Sequence, residues 1–119
     1  MVKRDFQIIC HIKNYCVDIA GYIERFGEDY NIFIEDSAYY NAVCMCVLQI
    51  GELSNKLSDE FRQETKAKMQ WSMVRGMRNM LAHVYEQMDE SIIWETAKND
   101  IPTLLHFCES IIEQHDKKK

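Results

Sequence analysis

Apolar residues recur at spacings of three and four along most of this chain, the pattern of helices that bury one face. Phe6, Ile9, Ile12, Cys16, Ile19, Ile23 and Phe26 form one such stripe. It predicts a helix from about Asp5 to Phe26, with Gly27 as its stop signal. The segment 28–36 mixes acids with Tyr30, Ile32, Phe33 and Ile34 and reads as an extended connection. Asp36 or Ser37, both good caps, opens a second helix with Val43, Val47, Ile50, Leu53 and Leu57 on one face. Gly51 stands mid-helix, where it costs about 1 kcal/mol relative to alanine, which points to close approach by another helix. Ser58 before Asp59 and Glu60 reads as a cap with an acidic first turn, opening a short helix over 59–66.

A further helix is predicted from about Trp71 to Ala82, and Asp89 or Glu90 starts the next, with Ile92, Ile93, Trp94 and Ala97 facing inward. Pro102 suits the first turn of a final helix that buries Leu104, Leu105, Cys108, Ile111 and Ile112. Trp71 and Trp94 read as core anchors. Met69, Met73, Met77 and Met80, at helical spacing, read as core or dimer interface rather than a cofactor box. Lys117, Lys118 and Lys119 read as a frayed basic tail. The expected architecture is all-α, an antiparallel bundle of about five helices.

Composition narrows the classes further. A chain of 119 residues has room for one domain, residues 1–119, and one proline with four glycines leaves few interruptions to helices. No apolar run approaches the roughly 20 residues that span a bilayer, and Met1-Val2-Lys3-Arg4-Asp5 lacks the apolar stretch of a signal peptide. A cytoplasmic location is expected. Cysteines 10, 16, 44, 46 and 108, odd in number and on apolar helical positions, do not form a secreted disulfide framework. They read as small core or interface hydrophobes, and without a Cys-x-x-Cys pair they give no zinc spacing. No Gly-rich phosphate loop or paired-carboxylate motif is present, and no metal or cofactor is expected.

A net charge of −5 argues at first against a nucleic-acid partner, but its distribution is uneven. Residues 61–83 carry Arg62, Lys66, Lys68, Arg75 and Arg78 against the single acid Glu64, a local +4 inside an acidic protein. A solvated helix face would explain such a cluster equally well.

The basic segment runs into Arg78-Asn79-Met80-Leu81-Ala82-His83-Val84-Tyr85, near the end of the predicted helix. A permanent cation, an amide, an imidazole and a phenol within eight positions can clamp a phosphate and move protons without a metal. Asn79 and His83 are four apart and share a helix face. Arg78 and His83 are five apart, about 140° around the axis. They converge if the helix ends near Ala82, if Arg78 reaches around, or if a two-fold axis brings two sets into one cleft. Such a cleft suits RNA transesterification, with imidazoles moving protons and Arg78 stabilising the phosphorane. Alternatively His83 opposes a helix dipole and Arg78 pairs with an acid such as Glu52. His11, His106 and His115 sit on terminal helices and read as structural or solvent-facing.

Several ordered motifs extend beyond this octad: Arg4-Asp5, Ile50-Gly51-Glu52, Trp71, Arg75-Gly76-Met77-Arg78-Asn79, His83-Val84-Tyr85, Asp89, Trp94 and Asp100-Ile101-Pro102-Thr103-Leu104. With them the chain resembles the HepT-like toxins of the HEPN superfamily. Met69-Gln70 stands before Trp71 where members often have Ile-Pro, which affects only the helix entry. The resemblance implies a HEPN-like, two-fold symmetric dimer that is an endoribonuclease, with Arg78 and His83 as catalytic residues and Asn79 and Arg75 on the substrate. It also implies a toxin–antitoxin pair with a minimal nucleotidyltransferase that inactivates the toxin by transferring AMP to Tyr85. The phenol of Tyr85 reads equally as a packed ring with a satisfied hydroxyl. A non-catalytic helical module that docks a nucleotidyltransferase or RNA is the competing class.

Overall fold

Several helix starts in this chain are set by short polar side chains that satisfy the free amides of a first turn. A computed structural model describes residues 1–87 and 89–118, Tyr85 by its backbone alone. Helix α1 spans Lys3–Phe26 and stops at Gly27, whose φ of 122° favours glycine. Asp29 then accepts from the amides of Asn31 and Ile32 at 2.8 and 3.2 Å and opens α2, Tyr30–Glu35. The expected extended connection over 28–36 is therefore a helical turn and a half. Phe33 is its buried anchor, edge-on to Tyr39.

Asp36 repeats the device, accepting from Ala38 and Tyr39 at 3.0 and 3.2 Å to start α3, Ser37–Asn55. Each such cap contributes about 1 kcal/mol. Helix α4, Asp59–Thr65, starts at Ser58, whose Oγ accepts from the Phe61 amide at 3.1 Å. The same hydroxyl donates to buried Asp5 at 2.6 Å and the Ser58 amide donates to it at 2.9 Å, tying the start of α1 to the start of α4.

The predicted helix over 71–82 is two helices, α5 (Trp71–Arg75) and α6 (Met77–Gln87). Gly76 separates them with ψ of −8°, a turn conformation that a weak helix former accepts readily. The Arg78–Tyr85 motif thus opens in the first turn of α6 and is not confined to the last turns of a helix. Asp89 caps α7, Glu90–Glu95, its side chain accepting from the Ser91 amide at 3.2 Å. No loop separates α7 from the final helix. A π turn over Thr96–Asp100 joins α7 directly to α8, Ile101–Lys117. Pro102 lacks an N–H and its ring crowds the carbonyl four residues back. A wider turn, in which the Ile101 amide reaches Thr96, accommodates it. Lys117 ends α8 at 3.1 Å from Glu113, Lys118 follows as a turn, and Lys119 lies outside the described residues.

The result is an all-α bundle, with no strand among the described residues. Helix α1 lies along both α3 and α8, while α3 also receives α2, α5 and α6. The middle of each expected stripe is buried, Ile9, Ile12, Cys16 and Ile19 on α1, Val43, Val47 and Ile50 on α3, Leu104, Cys108 and Ile111 on α8, whereas Phe6, Ile23, Phe26, Leu53, Leu105 and Ile112 are half-buried. The thiols are unbridged, and burial pushes those of Cys46 and Cys16 up to about 11 and about 12. Trp71 is buried with its indole N–H donated to Thr65 at 2.8 Å. No described helix is long and apolar enough to cross a membrane.

Gly51 is where α6 comes closest to α3. A Cβ there would lie 2.9 Å from the Arg78 backbone nitrogen and 3.5 Å from Met77 Cβ. The close approach read from the sequence is thus made by the helix that carries the motif. Gly21, on the exposed side of α1, has nothing within 4 Å of such a Cβ. Urea denaturation should separate the two positions. Gly21→Ala should raise the unfolding free energy by about 0.5–1 kcal/mol through helix propensity. Gly51→Ala should lower it by about 1–2 kcal/mol, because overpacking against backbone outweighs the same propensity gain.

Candidate active site

Helix α6 is amphipathic. Met77, Leu81 and Val84 face the core, whereas Arg78, Asn79, Ala82, His83 and Glu86 face solvent. Because α6 continues to Gln87, it does not end near Ala82, and that route to convergence of Arg78 and His83 is closed. On a continuous helix the two lie about 140° apart and about 7.5 Å apart along the axis. Asn79 and Ala82 occupy the arc between them, and Ala82 contributes only a methyl group to that ridge. Within one chain, a ligand touching both side chains has to lie across it.

The end of α3 aims the arginines. Glu52 Oε1 pairs with Arg78 Nε at 2.8 Å, the partner suggested by the sequence. Arg78 keeps 60% of its side chain exposed and Glu52 35%, so the pair orients the guanidinium without burying it. One turn further on, Asn55 Oδ1 accepts from Arg75 Nε at 2.8 Å, and Asn55 Nδ2 donates to the Gly51 carbonyl at 3.2 Å. Ser54 Oγ donates to that carbonyl at 2.9 Å. Residues 51–55 therefore provide the seat for α6, the acid for Arg78 and the amide for Arg75. Asn55 is the member that periodicity did not find. Its only signal is its place at the helix end, four residues after Gly51.

The structure thus brings Arg75 and Arg78 together on the last turns of α3, with Asn79 and His83 further round α6. Position 85 is on α6, but the Tyr85 side chain expected to be modified lies outside the described residues. Elsewhere, His115 stacks on Phe6 with ring centroids 3.8 Å apart, while His11 and His106 are exposed. Among the described residues no three His, Cys, Asp or Glu side chains converge as metal ligands would.

The all-α bundle is HEPN-like. The family model described as "Ribonuclease HepT-like" matches residues 12–111, and the chain belongs to that family. "Putative RNase MJ0125" of Methanocaldococcus jannaschii is 34% identical over 119 residues, covering 99% of this chain and 100% of the relative. "Putative RNase MJ1216" of the same organism is 33% identical over 119 residues, covering 99% and 96%. "Probable ribonuclease HepT" of Thermococcus cleftensis is 32% identical over 97 residues, covering 77% and 87%. No solved structure gives a significant match.

Solvent-exposed ion pairs contribute little to folding. Glu52→Ala should therefore lower the unfolding free energy by less than about 1 kcal/mol in a urea titration. A larger loss would mean that the pair holds α6 in place rather than orienting Arg78.

Proposed function

We propose that this protein is the toxin of a toxin–antitoxin pair, a homodimeric endoribonuclease that cleaves RNA without a metal. The observation that carries this reading is the presentation of Arg78 and His83 on one exposed helix, with Arg78 oriented by Glu52 through Nε. That contact leaves the terminal guanidinium nitrogens for a phosphate, where a planar fork of donors is better suited than an ammonium. Membership of a ribonuclease family supports RNA as substrate.

The 140° offset between the two side chains favours a site shared across a two-fold axis, each protomer supplying part of it. In such a cleft the 2′-oxygen bonds to the adjacent phosphorus as its proton passes to one His83 imidazole. The bond from phosphorus to the 5′-oxygen breaks, and a second imidazole protonates that oxygen. The products are a 2′,3′-cyclic phosphate and a 5′-hydroxyl. Arg78 neutralises charge gathering on the phosphorane oxygens. Asn79, on the His83 face, orients the ring or donates to phosphate, and Arg75 holds the neighbouring phosphate.

The antitoxin is a minimal nucleotidyltransferase. The Tyr85 hydroxyl attacks the α-phosphorus of a bound ATP, pyrophosphate leaves, and an AMP diester remains on the phenol. Position 85 falls seven residues after Arg78, two turns along nearly the same line of α6. An anionic diester there competes with RNA on the Arg78 side of the site. A second reading, a non-catalytic module that docks RNA or the nucleotidyltransferase, is favoured by that same angular offset and by the net charge of −5.

Unmodified protein incubated with RNA in EDTA should yield fragments with cyclic-phosphate ends. His83→Ala should reduce the rate by about 10²-fold or more while helix content and oligomeric state stay constant. Wild-type cleavage by that variant, or binding without cleavage by the unmodified protein, would favour the docking module. After co-expression with the nucleotidyltransferase, mass spectrometry should place one added AMP on the peptide containing Tyr85. An unmodified peptide from neutralised protein would rule out that route.

A further inference from the structure

Beside the arginine pair, α4 and α5 flank an open groove of about 500 Å³, of which the chemistry above uses only Arg75. Its walls include Arg62, Gln63, Lys66, Gln70, Ser72 and Arg75, with Asp59 at one side. We infer that this groove holds the backbone of a single RNA strand flanking the cleaved bond, with Lys66 and Arg75 as its phosphate contacts. The inference rests on the ribonuclease reading of α6 and extends it to where the rest of the substrate lies.

The charges in the groove divide into committed and available ones. Arg62 donates through Nη1 to the carbonyls of Ser54 at 3.1 Å and Leu57 at 2.6 Å, closing the end of α3, and its Nη2 pairs with Asp59. That pair cancels the one acid on the wall. Lys66 is exposed and has no ion pair among the described residues. Arg75 is exposed and, among the described residues, is held through Nε by Asn55. The groove therefore offers two uncompensated cations, with the side-chain amides of Gln63 and Gln70 and the hydroxyl of Ser72 as neutral donors.

Continuity with the site gives the path a direction. Arg75 belongs to both the groove and the arginine pair, and its anchor Asn55 is three residues from Glu52, the anchor of Arg78. That is about 4.5 Å along α3. A strand leaving Arg78 meets Arg75 next and Lys66 after it. Met69 and Trp71 also line the groove but are buried, Trp71 against Phe61 and Phe107 with its indole N–H donated to Thr65, so among the described residues the groove presents no exposed aromatic platform. Cations and amides without stacking faces bind sugar and phosphate rather than bases. The occupant is thus an RNA strand gripped with little regard to sequence.

The test measures binding apart from cleavage. Every variant is made in full-length His83→Ala protein, and a fluorescent single-stranded oligouridine of about twelve nucleotides is titrated across a salt series. Lys66→Gln should weaken binding roughly fivefold near 0.1 M salt and make the log–log salt slope shallower by about 0.7, the loss of one phosphate contact to a single strand. Lys13→Gln, a control of equal charge change beside Glu109 and Glu113 of α8, should alter neither. Equal effects from the two lysines would overturn the assignment, since a general charge effect would then suffice. So would unchanged RNA binding by Lys66→Gln coupled with weaker capture of the nucleotidyltransferase, which would make the groove a protein-docking face. The ribonuclease reading fails separately, if protein with His83 intact binds RNA but does not cut it; the groove then remains an RNA-binding site, but one that flanks no cleaved bond.

Discussion

The close contact between the α6 backbone and Gly51 of α3 is the constraint on which the rest of this structure depends. A helix pair usually meets side chain to side chain at 8–10 Å between axes. Here the missing Cβ lets the Arg78 amide nitrogen sit where a methyl group would be only 2.9 Å away. Everything that makes α6 chemically interesting follows from that seat. Glu52, the next residue on α3, is then within reach of Arg78, and Asn55, one turn on, is within reach of Arg75. Had α6 stood further out, both arginines would be tethered only by their own backbone and would sample many rotamers.

Electrostatics follow the same economy. The protein is acidic as a whole, yet its screening length near physiological salt is about 8 Å. A phosphate at the end of α3 therefore responds to the charges within that range, Glu52 and Arg78 among them, far more than to the net charge of the whole protein. Not all of the cations of 61–83 are available to it. Arg62 closes the end of α3 and is largely buried beside Asp59, whereas Arg78, paired with Glu52, is left 60% exposed. A sum over residue types cannot distinguish a cation that caps a helix from one left exposed at the surface.

Much of the fold was legible in the order of residues because the long helices are strongly amphipathic. The stripes of α1, α3 and α8, the caps at Asp36, Ser58 and Asp89, and the close approach at Gly51 all appear in the structure where the pattern put them. What escaped was set by short-range geometry. Helix α2 is only six residues long, too short to display an apolar period, although Asp29 and Asp36 bracket it as caps. Gly76 breaks one predicted helix into two because a single ψ near zero is enough, and no periodicity reports on that. The π turn before Pro102 conceals a boundary in the opposite sense, by keeping two helices joined. In the site, the Glu52–Arg78 pair could be guessed from complementary charge. The Asn55–Arg75 contact could not, since asparagine carries neither charge nor period. The angular relation of Arg78 to His83 was fixed only once the length of α6 was known.

The placement of Gly51 couples interior to exterior in a way that bears on how such a chain can change. A residue with almost no surface of its own sets the position of groups that face solvent, so drift in the interior is felt at once by whatever the surface does. Side chains around the bundle can be exchanged for others of similar volume. Position 51 has no such neutral neighbours, because even the smallest enlargement pushes against main chain rather than a yielding side chain. Variation at this point is thereby felt both in the packing of the bundle and in where the exposed arginines stand.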